Sequence, residues 1–115
     1  MTVRYIVKHN ENQLAISYFA KSDKTTLLNV TNHSYFNLSG DFKRTILDHQ
    51  LTIPSNHYGE LNGDMLPTGN LILAEEDRLF DFRNGSTLRE GVDSQHPQIK
   101  LVGGGYDHPF LLDKE

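Results

Sequence analysis

The chain has 115 residues and no cysteine, and eleven Lys and Arg against fifteen Asp and Glu leave a formal charge of −4. That length suits one domain with a thin core, and the missing thiols exclude disulfides and cysteine-held zinc or iron–sulfur sites. The acidic balance speaks against nucleic-acid binding and a polybasic membrane surface, and no apolar run is long enough to cross a bilayer.

Residues 2–8 alternate, with Val3, Tyr5 and Val7 on one side and Arg4, Ile6 and Lys8 on the other. This is a period-two strand and not a signal peptide; with the missing thiols it fits a cytoplasmic protein. After the polar turn His9-Asn10-Glu11-Asn12, Leu14, Ile16 and Tyr18 repeat the pattern, and two such runs about a short loop read as a hairpin. Residues 26–38 read as a further strand. Its even face (Leu28, Val30, Phe36, Leu38) is expected on a core, and its odd face carries His33, Tyr35 and Asn37. Residues 45–53 read as another strand, ended by Pro54. Turn formers from Ser55 to Gly69 mark a long irregular excursion, followed by a short strand over 71–73. Glu75-Glu76-Asp77 reads as a solvated acidic patch, and Phe80-Asp81-Phe82-Arg83 as packing plus a local ion pair. Thr87 to Glu90 has room for one helical turn, and Phe110 to Leu112 opens one more strand. The class is all-β and antiparallel, with most of residues 2–53 in strands and no helix longer than two turns. The hydrophobic fraction, 37%, is low for a self-sufficient globule, which fits either a thin core or a partner surface outside these residues.

The chemistry gathers at Asn32, His33 and Tyr35 and at Gly103-Gly104-Gly105-Tyr106-Asp107-His108-Pro109. Histidine ordinarily titrates near neutrality, so it can give and take a proton in one cycle. Mixed amides and rings suit a polyhydroxylated ligand, and Asp107 can accept from a diol. Two bland alternatives stay open: His33 as a structural histidine within a sheet, and the glycine run as a turn whose aspartate caps its own backbone. The glycines would allow a close approach where side chains do not fit. The six histidines, His9, His33, His49, His57, His96 and His108, show no metal-ligand spacing, so no metal is expected.

Thr31-Asn32-His33-Ser34-Tyr35-Phe36-Asn37-Leu38-Ser39-Gly40 resembles the TNH-x-YFNL signature of the aldose 1-epimerases, or galactose mutarotases. Pro67-Thr68-Gly69, Phe80-Asp81-Phe82-Arg83 and Gly104-Gly105-Tyr106-Asp107-His108 follow in the family's order. The resemblance implies an antiparallel β-sandwich of the mutarotase type. Residues 1–115 would be a single partial domain, the central portion of a longer protein. It implies an isomerase that interconverts the α and β anomers of a free hexose such as galactose or glucose, with no metal or nucleotide cofactor. A base deprotonates the anomeric hydroxyl, an acid protonates the ring oxygen, and the opened sugar recloses on its other face. It casts His33 as the acid and Asp107 as the holder of a sugar hydroxyl, on one concave surface with Asn32 or Tyr35 nearby. In full members an upstream arginine and second histidine and a downstream glutamate base complete the site. His9, Glu11 and Glu115 sit in no matching motif and take none of those roles. A partial sandwich is expected to expose a sheet surface through which copies could associate. The alternatives are a non-catalytic carbohydrate-binding or structural β-domain, or a hexose-6-phosphate epimerase fragment. The last requires basic residues near the sugar's C6 end, which this segment does not show.

Overall fold

A computed structural model describes residues 1–40 and 43–113. Its contacts define two compact units, Met1–Tyr35 and Phe36–Glu115, each described by itself below.

In the first unit β1 (Thr2–Val7) pairs antiparallel with β2 (Leu14–Phe19), with Thr2 opposite Phe19 and Val7 opposite Leu14. This is the expected hairpin. Asn10 turns the chain at φ 65°, in the left-handed region that asparagine tolerates better than bulkier residues. Residues 26–35 form no strand, which corrects the expectation drawn from their alternation. Alternation marks an extended chain, but a strand also needs a neighbour for its backbone N–H and C=O groups. No described residue supplies one. The supposed core face is exposed as well, with Leu28 at 60% and, in the second unit, Leu38 at 81%.

The second unit holds β3 (Gln50–Leu51), β4 (His57–Leu61), β5 (Pro67–Leu73), a 3-10 turn over Ala74–Glu76, β6 (Ser86–Thr87), α1 (Arg89–Val92), α2 (Pro97–Leu101) and β7 (Phe110–Leu111). β4 is the central strand of a sheet ordered β5-β4-β7, β3 pairs with β6, and every pairing is antiparallel. The all-β class therefore holds, and the described residues of 2–53 contain no helix. The strand expected over 45–53 shrinks to Gln50–Leu51, because a turn closes upstream where the His49 amide bonds Ile46 O at 2.9 Å. Strands thus occupy far less of residues 2–53 than expected. The excursion expected over 55–69 is instead largely a hairpin. Asn62 builds its loop: its side-chain oxygen accepts from the amides of Asp64 at 2.9 Å and Leu66 at 3.1 Å. A register shift between Gly59 and Leu61 breaks the alternation that would have marked β4.

The core is aromatic. Tyr58 stacks on Phe80 with ring centroids 4.0 Å apart, and Ile99 completes the buried cluster. Tyr106 and Phe110 pack against it. Phe80 and Phe82 are buried while Asp81 pairs with Arg83 at 2.8 Å, as expected for packing plus an ion pair. That pair lowers the Asp81 pKa, chiefly through the Arg83 side-chain hydrogen bond. The solvated patch needs one correction: Asp77 keeps a side-chain exposure of only 14% and works inside the fold, whereas Glu75 and Glu76 are exposed.

Candidate functional site

In the first unit Asn32, His33 and Tyr35 are all exposed. The His33 ring lies against Tyr35, centroids 4.8 Å apart and planes 30° off parallel. The Asn32 side-chain amide donates to Tyr5 Oη at 3.4 Å and its oxygen accepts from Ser34 Oγ. The segment is thus anchored to β1 through Asn32, with the imidazole left open to solvent on an aromatic neighbour. Among the described residues, His33 pairs with no sheet neighbour.

In the second unit Asp107 is exposed and stands one residue before a tightly fixed stretch. Upstream, Gly103 and Gly104 end α2: their amides bond Lys100 O at 3.1 Å and Ile99 O at 2.9 Å, with φ of 87° and 92°. This is the two-bond C-terminal cap that left-handed glycines make. A Cβ on any of Gly103, Gly104 or Gly105 would meet nothing within 4 Å. The run is a cap and turn and not a crowded approach. The crowding lies elsewhere. A Cβ on Gly91 would come 1.8 Å from Tyr106 Oη, and one on Gly59 would come 2.8 Å from Pro109 Cγ. Tyr106 Oη donates to Leu79 O at 2.8 Å across Gly91, and the Gly59 amide donates to Pro109 O at 2.8 Å. Two glycines distant in sequence therefore seat the residues on either side of Asp107 and His108. An open groove of about 570 Å³ has Asp107 and His108 in its lining, along with Tyr106 and Phe110.

A polar network lies behind this groove. Asp77 Oδ2 accepts from Tyr58 Oη at 2.8 Å and pairs with His96 Nε2 at 3.0 Å. His96 Nδ1 accepts the Gln98 amide and so caps α2 ahead of Pro97. Gln98 bonds both backbone groups of Leu61 on β4, Oε1 accepting at 2.9 Å and Nε2 donating at 3.0 Å. The same Oε1 lies 3.1 Å from His108 Nε2, and His108 Nδ1 lies 3.4 Å from the Asp107 amide nitrogen. An amide is always a donor, so Nδ1 is bare and Nε2 carries the proton given to Gln98. Burial raises the Tyr58 phenol, with its bond to Asp77 adding to the rise, and burial pushes Tyr106 up to about 12.

Burial also holds His108 below its ordinary 6.5, against weaker upward pulls from Asp107 and Asp77, while His96 adds to the lowering. The unfolded chain then takes up a proton near pH 6.5 where the folded chain does not. Stability from this group is complete above that pH and is lost as pH falls below it. Thermal midpoints measured through this acid range are expected to drop, and to drop less in His108→Gln. An unchanged pH slope in the variant would contradict the assignment.

The sequence profile of the aldose 1-epimerases matches residues 1–115. The chain belongs to the aldose 1-epimerase family. Galactose mutarotase from Rattus norvegicus is 37% identical over 100 residues, covering 87% of this chain and 27% of that protein. The Homo sapiens galactose mutarotase is 33% identical over 100 residues, with 87% and 27% covered. Aldose 1-epimerase from Escherichia coli K12 is 33% identical over 111 residues, 96% of this chain and 31% of that protein. The chain spans under a third of the length of these curated relatives.

For an aldose 1-epimerase chain, the structure gathers Asn32, His33 and Tyr35 in the first unit, and Asp107 with His108 in the second. Sequence reasoning passed over Tyr58, Asp77, His96 and Gln98, which form the support behind Asp107. One signal was available: His96 followed by Pro97 has the form of a cap and first helical residue. Nothing in the sequence marks Gln98. No described helix is long and apolar enough to cross a membrane.

Proposed function

We propose that the protein carrying these residues is a cytoplasmic mutarotase that interconverts the α and β anomers of a free hexose such as galactose or glucose. The family match over residues 1–115 carries this reading, and the intact motif around His33 supports it. His33 is the general acid at the ring oxygen, Asp107 accepts from a sugar hydroxyl, and Asn32 and Tyr35 line the site. Solvent exposure of His33 and Asp107 leaves both within reach of a ligand. Residues 1–115 act as one central portion of a mutarotase-like β-sandwich. No residue among them occupies the motif position of the glutamate base, so the base comes from elsewhere in the protein. Copies of the isolated chain associate through the β1–β2 sheet, where Tyr5, Val7, Leu14 and Phe19 are exposed; a monomer by light scattering would contradict this.

The reaction requires acid and base together, and a positioned proton-transfer group typically contributes ~10²–10⁴-fold. Polarimetry from pure α-D-galactose or α-D-glucose, with the uncatalysed rate subtracted, is therefore expected to show little or no acceleration by the 115-residue chain alone. Full activity from that chain would show that it finds its base internally or in a second copy.

A further inference from the structure

The residues behind Asp107 form a mount that the proposed reaction does not by itself require. Gln98 is fixed to β4 by both of its amide atoms. His108, 8% exposed, sits edge-on to Phe80 with centroids 4.7 Å apart, so its ring has little freedom to turn. Pro109 restricts the His108 backbone and is itself held by Gly59. The ring's only protonated nitrogen points at Gln98, and the bare one faces the Asp107 amide.

We infer that His108 is a positioning residue for Asp107: held by Gln98, its Nδ1 fixes the Asp107 amide and so the direction in which that carboxylate meets the sugar. The inference rests on the reading of Asp107 as the hydroxyl-binding residue. It assigns His108 no proton transfer, since its exchangeable proton is already given to Gln98. Pre-set direction matters because a carboxylate that must be ordered on binding loses part of its hydrogen-bond energy to that ordering.

Two measurements on the protein that carries these residues test it. Nitrogen-15 spectra of the imidazole are expected to show His108 as the Nε2–H tautomer above pH 6.5. An Nδ1–H tautomer overturns the inference without any variant. In kinetics, His108→Gln keeps the donor to Gln98 but loses the acceptor for the Asp107 amide. It is expected to raise KM for the aldose about three- to tenfold, the factor one ordinary hydrogen bond supplies, with kcat nearly unchanged. His108→Asn, whose side-chain oxygen stands where Nδ1 stood, is expected to recover most of that loss. In an Asp107→Asn background, His108→Gln is expected to have no further effect on KM. An Asp107→Asn effect on KM with none from His108→Gln overturns the positioning role and leaves the reading of Asp107 standing. A His108→Gln effect that persists in full without Asp107 also overturns it. If Asp107→Asn itself leaves KM unchanged, the reading of Asp107 has failed, and the inference falls with it.

Discussion

Replacing Phe80 by alanine is expected to remove about 3–5 kcal/mol from the second unit, the usual cost of truncating a buried phenylalanine. Phe80 has no exposure, and its ring touches those of Tyr58, His96, Tyr106 and His108. The void would open where Tyr58 of β4, Ile99 of α2 and the 106–110 segment pack together. Whole small domains are typically stable by only about 5–15 kcal/mol, so the variant should sit close to unfolding at ordinary temperature. The denaturant midpoint should fall sharply with little change in slope. Leu27→Ala is the control. Leu27 is 100% exposed in the same chain, and its loss should move the midpoint hardly at all. Equal effects from the two variants would contradict the placement of the core.

His33→Asn carries the largest expected effect on activity. Asparagine keeps polarity and a hydrogen-bonding atom but cannot give up a proton. In the proposed mechanism the ring oxygen needs that proton only as the ring opens. The loss should therefore fall on kcat, by ~10²–10⁴-fold, with a much smaller change in KM. Rates of anomer exchange for the parent and His33→Asn proteins at saturating aldose measure this. A large rise in KM with kcat intact would make His33 a binding residue instead.

The hairpin of β1 and β2 was legible because both strands alternate without interruption and one short polar loop joins them. β4 and β5 were not, because the shift between Gly59 and Leu61 erases the period, and the turn formers Asn62-Gly63-Asp64 look the same in a hairpin loop as in a long excursion. Residues 26–38 misled in the opposite sense. Their alternation is real, but pairing depends on a neighbour that no pattern within a strand encodes. The polar groups divide along the same line. His33 and Asp107 stand in local motifs that a linear reading can find. Gln98 and Asp77 gain their roles from partners far away in the chain, Leu61 and Tyr58, and the acidic company of Glu75 and Glu76 disguised Asp77 as a solvated residue.

The most direct measurement is a polarimetric time course of pure α-D-galactose or α-D-glucose with the protein that carries this sequence. A first-order approach to the anomeric equilibrium is expected, with a rate that rises in proportion to protein concentration and collapses in His33→Asn. A time course indistinguishable from buffer for every free aldose tried would contradict the mutarotase reading and leave a sugar-binding module or an enzyme of phosphorylated sugars in its place.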